Sequence, residues 1–414
     1  MKKIIYIIIT PKLSSLGGAE LYAIRRAEYL KEKKIEVILV AQEIDNKVLK
    51  IEEFKTLEIK ELISDSIFSR KIQLEKINEY IENNFDDFDE VYVETNFLRH
   101  VFLGEKIAKK YFGRHIFYML VEMELYKTKY IELLKFKLDR NEMIGVNNRT
   151  LDISLGKYWD DKYKESYVNV GFSKKEIKED NVLNKKYIKN KSFRILTISR
   201  LEKTYIENLI KDVIKLSEKY SNISFELVII GDSKNKKIRK KLENKYKMQN
   251  NSMISFLGYV YPLKKNYFYE SDIFVGMGTA AISGIAMGCA TICIDPRNNK
   301  ASGYFGVDTN NCAYSKNDKT YEIFDLIEKI VLNPNLKNII EKKGEKIFAK
   351  EYELIQTMKK LDNYIFFNNL KKEYWEKNII IFKEEIRYFT WKMKLFNFIL
   401  LIKNKIFIKN FLNI

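Results

Sequence analysis

The sequence predicts an α/β protein built as two parallel-sheet halves facing a cleft, and three observations carry the prediction. Ile4 to Ile9 is an unbroken apolar, mostly β-branched run, as a strand buried on both faces of a parallel sheet requires. Similar runs alternate with helix-spaced segments along most of the chain, which points to crossover helices and a mostly parallel sheet. Length supplies the third, because 414 residues exceed one ordinary core and suit two.

The first half spans residues 1–173. After the opening strand, PKLSSLGG forms a glycine loop that starts a helix. Leu21, Ile24, Ala27, Glu28 and Leu30 follow near-helical spacing there, with the apolar members facing in. Ile35 to Ala41 is the next strand. This opening is Rossmann-like but lacks the G-x-G-x-x-G dinucleotide fingerprint. Gly17 and Gly18 let the helix begin close to the sheet. Residues 42–88 are polar, with one helix from about Arg70 to Asn83. Strands follow at Glu90–Glu94, His115–Leu120, Met143–Val146 and Tyr167–Val170, with helices over about 98–111 and 128–140. Ligands gather at the carboxyl ends of strands in such sheets. That edge carries residues 14–20, 94–96 and 122–124, and Asn147. Glu122 and Glu124 stand just past a strand end, either as a base or sugar-binding group or as plain loop or helix N-terminal charges. Glu20 reads as a dipole-stabilising acid, His115 as structural, and His100 as a candidate at a loop–helix junction.

Residues 174–191 are polar and lysine-rich without apolar periodicity, and read as a linker. The second half, 192–367, opens with strand Arg194–Ile198, helix Tyr205–Glu218, strand Phe225–Ile230 and a turn at Gly231. After a basic helix come strand Ile254–Leu257, Gly258 and a short helix over about 262–269. The organising stretch is IFVGMGTAAISGIAMGCATICID, a strand, a Gly276-Met277-Gly278 turn, a small-residue helix from Thr279 closed by Gly288, and a second strand. Glycines bring backbone close to a ligand. A helix starting at Thr279 aims free N–H groups and a positive dipole end at that gap, which suits a phosphate. Ala280, Ala281, Gly284 and Ala286 keep the helix slim against a sheet. Helices over about 319–332, 335–345 and 350–366 close this half.

The tail, 368–414, is aromatic, apolar and basic and reads as an amphipathic helical tail; after Glu385 it carries six Lys and Arg residues and no acid. It either lies at an anionic membrane surface through residues 386–414 or packs back on the first domain. The net charge of +18 comes mainly from lysines interleaved with glutamates, a solvated face. No zinc spacing, RNP-like strand or recognition helix argues for nucleic acid. Three cysteines form no metal or disulfide pattern and suit a reducing cytoplasm. MKKIIYIIIT is too short and lacks a cleavage site for a signal peptide.

With these loops in view, the chain resembles a GT-B glycosyltransferase, nearest to family 4 (group 1), over roughly residues 3–365. The resemblance rests on GGAELYAIRRAEYLKEKKIEVILVA in the first half. In the second it rests on ILTISRLEK, LVIIGDS, ISFLGYV and SDIFVGMGTAAISGIAMGCATICID, in that order. It implies two Rossmann-like domains facing a cleft, with the nucleotide-sugar donor mostly on the second and a glycan or lipid-linked acceptor on the first. Arg200 matches the Arg that contacts the diphosphate, and Lys203 resembles its partner Lys at a shorter spacing. Gly276, Gly278, Thr279 and Ala280 would offer backbone N–H groups to the phosphates. Gly17 and Gly18 would let the first domain close over them. Gly231 ends the LVIIGDS segment on the same donor side, and Gly258 matches the segment near which the base sits. Arg200, Lys203 and Glu122 are thus the catalytic candidates, with no metal and no cofactor.

One departure stands out. The family commonly shows two glutamates, E-x7-E, around the last loop and helix. Here the first has no counterpart and the second falls on about Ser283, a donor-binding candidate whose hydroxyl can hydrogen-bond a ribose or phosphate but cannot replace a carboxylate's charge. The expectation is a divergent cytoplasmic enzyme, peripheral on the inner face of the membrane, acting in bacterial cell-surface polysaccharide or glycoconjugate synthesis. The alternative is a catalytically silent scaffold or binding subunit. A sugar-nucleotide epimerase would need an acid/base set that the sequence does not display.

Overall fold

The computed structural model describes residues 2–13, 17–45, 53–64, 66–121, 124–125, 128–179, 192–233, 235–246, 252–315 and 317–376. Its first sheet contains β1 (Ile4–Thr10), β2 (Glu36–Ala41), β3 (Lys55–Glu58), β4 (Glu90–Thr95), β5 (Arg114–Met119) and β6 (Met143–Gly145), in the order β3-β2-β1-β4-β5-β6. Every pairing is parallel. The second contains β7 (Ser192–Ile198), β8 (Ser224–Ile230), β9 (Ser252–Gly258), β10 (Ile273–Gly276), β11 (Ala290–Ile294) and β12 (Ala301–Tyr304), in the order β12-β11-β10-β7-β8-β9. Only β12 runs antiparallel, against β11. In each sheet the chain walks outward from its first strand and then returns to that strand's other side. The carboxyl ends of β1 and β4, and of β7 and β10, are therefore topological switch points, where doubly wound sheets open a crevice.

Sequence pattern explains the central strands. β1 lies between β2 and β4, and Ile5 to Ile9 are all buried, so both faces need apolar residues. One apolar cluster runs from Tyr6 and Ile8 through Phe274 and Ile282 to Met358 and Leu361, so it crosses from one half to the other. A second fills the outer layer of the C-terminal half around Ile210, Ile229 and Ile292.

Four expectations about the two halves change. Residues 55–58 are a strand that the polar stretch concealed, because an edge strand with half-exposed residues needs no apolar run. Residues 301–304 add the antiparallel edge strand β12. Residues 167–170 are no strand, and Tyr167 makes only an isolated bridge to Gly145. Finally, helix Leu354–Ile365, expected to end the second domain, lies against helix Gly18–Glu32 of the first.

That return is held by buried charge. Arg26, fully buried, pairs with Asp362 at 2.8 Å, and Lys33 reaches the same carboxylate at 2.5 Å. Tyr29 donates to Asp362 at 2.9 Å. Behind Arg26, Glu94 accepts from Tyr6 at 2.7 Å, Tyr22 at 2.8 Å and Asn96 at 2.9 Å. The chain leaves and re-enters the first half side by side, since Phe172 N–H donates to Tyr352 and Leu354 N–H to Phe172. Beyond the helix, residues 368–376, expected to begin a helical tail, form no helix and strap across the strand-N-terminal edge of the first sheet, where side chains of the first half hold their backbone. Arg114 holds the Leu370 carbonyl, Arg140 that of Lys371, and Trp375 N–H meets Glu105. The remainder of the linker (180–191) and of the basic tail (377–414) lies outside the described residues. Among the described residues, no helix is long and apolar enough to cross a membrane.

Candidate active site

Three helices present their N-termini at the carboxyl edges of the two sheets. Helix Gly18–Glu32 follows β1, helix Thr204–Lys219 follows β7, and helix Thr279–Ala286 follows β10. Their N-caps are Gly17, Lys203 and Gly278, and none makes a side-chain capping bond. A helix N-terminus carries unmatched N–H groups and about half a positive charge, so it favours an anion. Two of them meet across the cleft. A Cβ added at Gly18 would stand 2.9 Å from Thr279 Oγ1, closer than real Cβ atoms come.

The β10 turn has the geometry that its glycines foreshadow. Gly278 adopts φ +57°, the left-handed region, and donates to the Cys312 carbonyl at 2.9 Å. An added Cβ there would meet nothing within 4 Å, so the glycine serves conformation, beside open space. The first intrahelical bond is Ile282 N–H to Gly278 O at 3.1 Å, which leaves the N–H groups of Thr279, Ala280 and Ala281 ahead of the helical ladder. Gly276 and Gly284 both lie against the Phe274 ring and set the helix down on β10. Gly231 donates to the Gly258 carbonyl at 2.8 Å and joins the ends of β8 and β9. A Cβ on Gly231 would fall 2.0 Å from the Ser199 carbonyl, so no other residue fits beside the end of β7.

Cations complete the second-domain wall. Arg200 is exposed just past β7, and Lys203 is half-buried three residues on. Neither pairs with a carboxylate among the described residues. Burial and the neighbouring Arg200 charge lower the Lys203 pKa to about 8. These two adjacent cations, with no carboxylate partner among the described residues, stand just past β7, the strand that pairs with β10 ahead of the Thr279 helix. Tyr259, 60% exposed past β9, lies in the field of Glu202, Asp232 and Arg200, which places it on the same wall.

The other expected residues fall differently. Ser283 is buried and its hydroxyl donates to Ala280 O at 2.7 Å, so it turns back along its own helix and the structure does not bring it to the turn. Glu122 lies outside the described residues, and Glu124 is exposed on a loop. Glu20 folds back over its own helix start, because a Cβ on Gly17 would lie 2.2 Å from its Oε2. Its carboxylate is thus an internal anion at that N-terminus. His100 and His115 are buried, and burial lowers both to about 4, so they are neutral. His115 is held by Thr95 and Glu105 in the core of the first domain. Among the described residues, no group of three or more His, Cys, Asp and Glu could hold a metal. Sequence reasoning missed Tyr259 and the cross-cleft ties Arg149–Asp318 at 3.2 Å and Asn311–Asn148 at 2.9 Å. No local pattern marks them, since each partner lies more than 160 residues away in sequence.

Known proteins share the fold. Residues 178–347 match the family model described as glycosyl transferases group 1. A glycosyltransferase from Rickettsia africae ESF-5 superposes over 88% of this chain and 98% of its own, with a TM-score of 0.66 at 18% identity. The fold is GT-B. An E. coli trehalose-6-phosphate structure bound with UDP-2-fluoro glucose covers 89% of this chain and 100% of its own, at TM-score 0.59 and 11% identity. A putative UDP-N-acetylglucosamine 2-epimerase from Listeria monocytogenes covers 91% and 100%, at TM-score 0.53 and 14% identity. Likeness at these identities speaks for the fold alone. The sequence matches no curated protein. The group 1 match spans the GT-B half that carries Arg200, Lys203 and the Gly276–Ala280 turn.

Proposed function

We propose that this GT-B protein transfers a sugar from a nucleotide-sugar donor to a glycan or lipid-linked acceptor in bacterial cell-surface glycoconjugate synthesis. The observation that carries the reading is the meeting of the Thr279 and Gly18 helix N-termini, with Arg200 and Lys203, unpaired with any carboxylate among the described residues, just past the neighbouring strand β7. A nucleotide sugar leaves as a diphosphate, and charge that develops on it is stabilised by donors fixed before the reaction starts. Thr279, Ala280 and Ala281 N–H groups would hold phosphate oxygens, while Arg200 and Lys203 would neutralise the leaving group. Gly231 and Gly258 would shape the nucleoside side, with Tyr259 nearby. No metal or cofactor enters this reading. The basic, acid-free tail after Glu385 would keep the protein at the inner face of the membrane, near a lipid-linked acceptor.

Nucleotide release from UDP-, GDP-, dTDP- and ADP-sugars, with and without crude lipid acceptor, tests the proposal. Release from one donor that disappears in Arg200→Ala supports it. A silent binding subunit is the second reading, favoured by Ser283 facing inward where a family glutamate is common. Binding of a donor without turnover would select it. Deleting 377–414 without changing partition between membrane and soluble fractions would remove the membrane role.

A further inference from the structure

At the far end of helix Gly18–Glu32 from the cleft, two adjoining depressions of about 430 and 400 Å³ share Asn363 and Phe367. Both fall in the usual size range of small-ligand sites, about 300–1,000 Å³. Phe367 stands between them with 69% of its surface exposed. Their two walls differ chemically. One carries Asn141, Asn368 and Asn369, with Tyr364 and Leu370. The other carries Lys33, Lys359, Lys360 and Gln356 over Asp362.

Asn368 is committed to Arg140 O and Leu370 N–H. Among the described residues, the side-chain amides of Asn141, Asn363, Asn369 and Gln356 make no hydrogen bond, so their donors and acceptors face the groove free. Asp362 is already matched by Arg26 and Lys33, and Lys360 stands over the Tyr167 ring in the field of Glu165 and Glu351, which leaves the Lys359 charge without a partner among the described residues. An exposed ring offers a platform for the apolar face of a pyranose. Free amides match hydroxyls, and lysines match a carboxylate or phosphate as point charges.

We propose that this groove is a second, non-catalytic binding site for an acidic oligosaccharide. The helix that joins it to the cleft has 15 residues, about 22 Å. One sugar cannot occupy both sites, so the groove holds a part of a glycan remote from any reacting end.

Isothermal titration of the full chain with a galacturonate oligosaccharide, a neutral malto-oligosaccharide and poly-glutamate provides the test. Binding of the galacturonate, weakened about tenfold in Phe367→Ala and reduced in Lys359→Gln, is the expected result. Arg200→Ala should bind it as wild type does, which keeps this proposal separate from the donor site. Phe367→Ala should retain wild-type nucleotide release. Absence of galacturonate binding, equal binding of poly-glutamate, or full binding by Phe367→Ala would each overturn it.

Discussion

Burial and the charge of the neighbouring, exposed Arg200 both disfavour the charged form of Lys203, and a bound diphosphate would offset that cost. With its pKa lowered to about 8, Lys203 is mostly protonated at pH 7 and loses its proton as pH climbs through 8. An anion favours the charged form, so it restores the pKa upward and takes up protons above that pH. Donor affinity should therefore fall as pH rises from about 7 to 9, and the fall should vanish in Lys203→Met; titrations in buffers of different ionisation enthalpy read both. Removing a fixed donor of this kind typically lowers turnover by about 10²–10³, which is the loss expected for Arg200→Ala in single-turnover assays. Ser283→Ala makes a contrasting case. Its hydroxyl bonds only its own helix, so donor affinity should stay within about twofold, and a larger loss would show that the side chain turns into the site.

The helix beginning at Thr279 owes its role to what precedes it rather than to its own residues. Gly278 at φ +57° lets the chain enter the helix with its N–H groups facing the cleft. An L-residue there meets the left-handed penalty, about 1–2 kcal/mol, while nothing crowds its side chain. Gly278→Ala should lower stability by roughly that amount in urea unfolding and weaken donor binding as the turn shifts. Opposite it, Gly18→Val would drive a side chain into Thr279. That variant should hold the halves apart and reduce turnover with the first domain intact, and Thr279→Ala in the same chain should restore part of it. Independence of the two substitutions in such a cycle would mean that these helix ends do not meet in the working protein.

Across the whole molecule, the two halves are joined by a double crossing and by the buried Arg26–Asp362 pair. Breaking one partner of a buried pair leaves an uncompensated charge, about 3–5 kcal/mol. Asp362→Ala should shift the urea midpoint by a corresponding amount, and paired replacement of Arg26 and Asp362 by apolar residues should recover much of it. If Asp362→Ala is neutral, helix Leu354–Ile365 is held by its apolar face alone, through Met358, Leu361 and Ile365.

Much of this architecture is local and was legible. The buried runs of β1, β7 and β8 and the strand–turn–helix around Gly276 to Ala286 follow from residue pattern, because apolar period and glycine placement act over a few residues. β3 escaped because an edge strand with half-exposed residues needs no such pattern, and β12, though buried, because its residues ASGY form no apolar run. Placement was legible in kind: Arg200, Lys203 and the glycine turns lie at the carboxyl ends of β7, β8 and β10. Direction was not. Ser283 and its neighbour Ala280 sit on one short helix, yet one is buried against its own backbone and the other opens on the turn. Burial of Arg25 and Arg26 on a helix face that reads as polar, and the return of residues 354–365 to the first half, depend on partners far apart in sequence. Local composition determined the strands, the turns and the charge of this protein. Only the tertiary structure decided which helix ends face each other, because that depends on packing two sheets through one shared core.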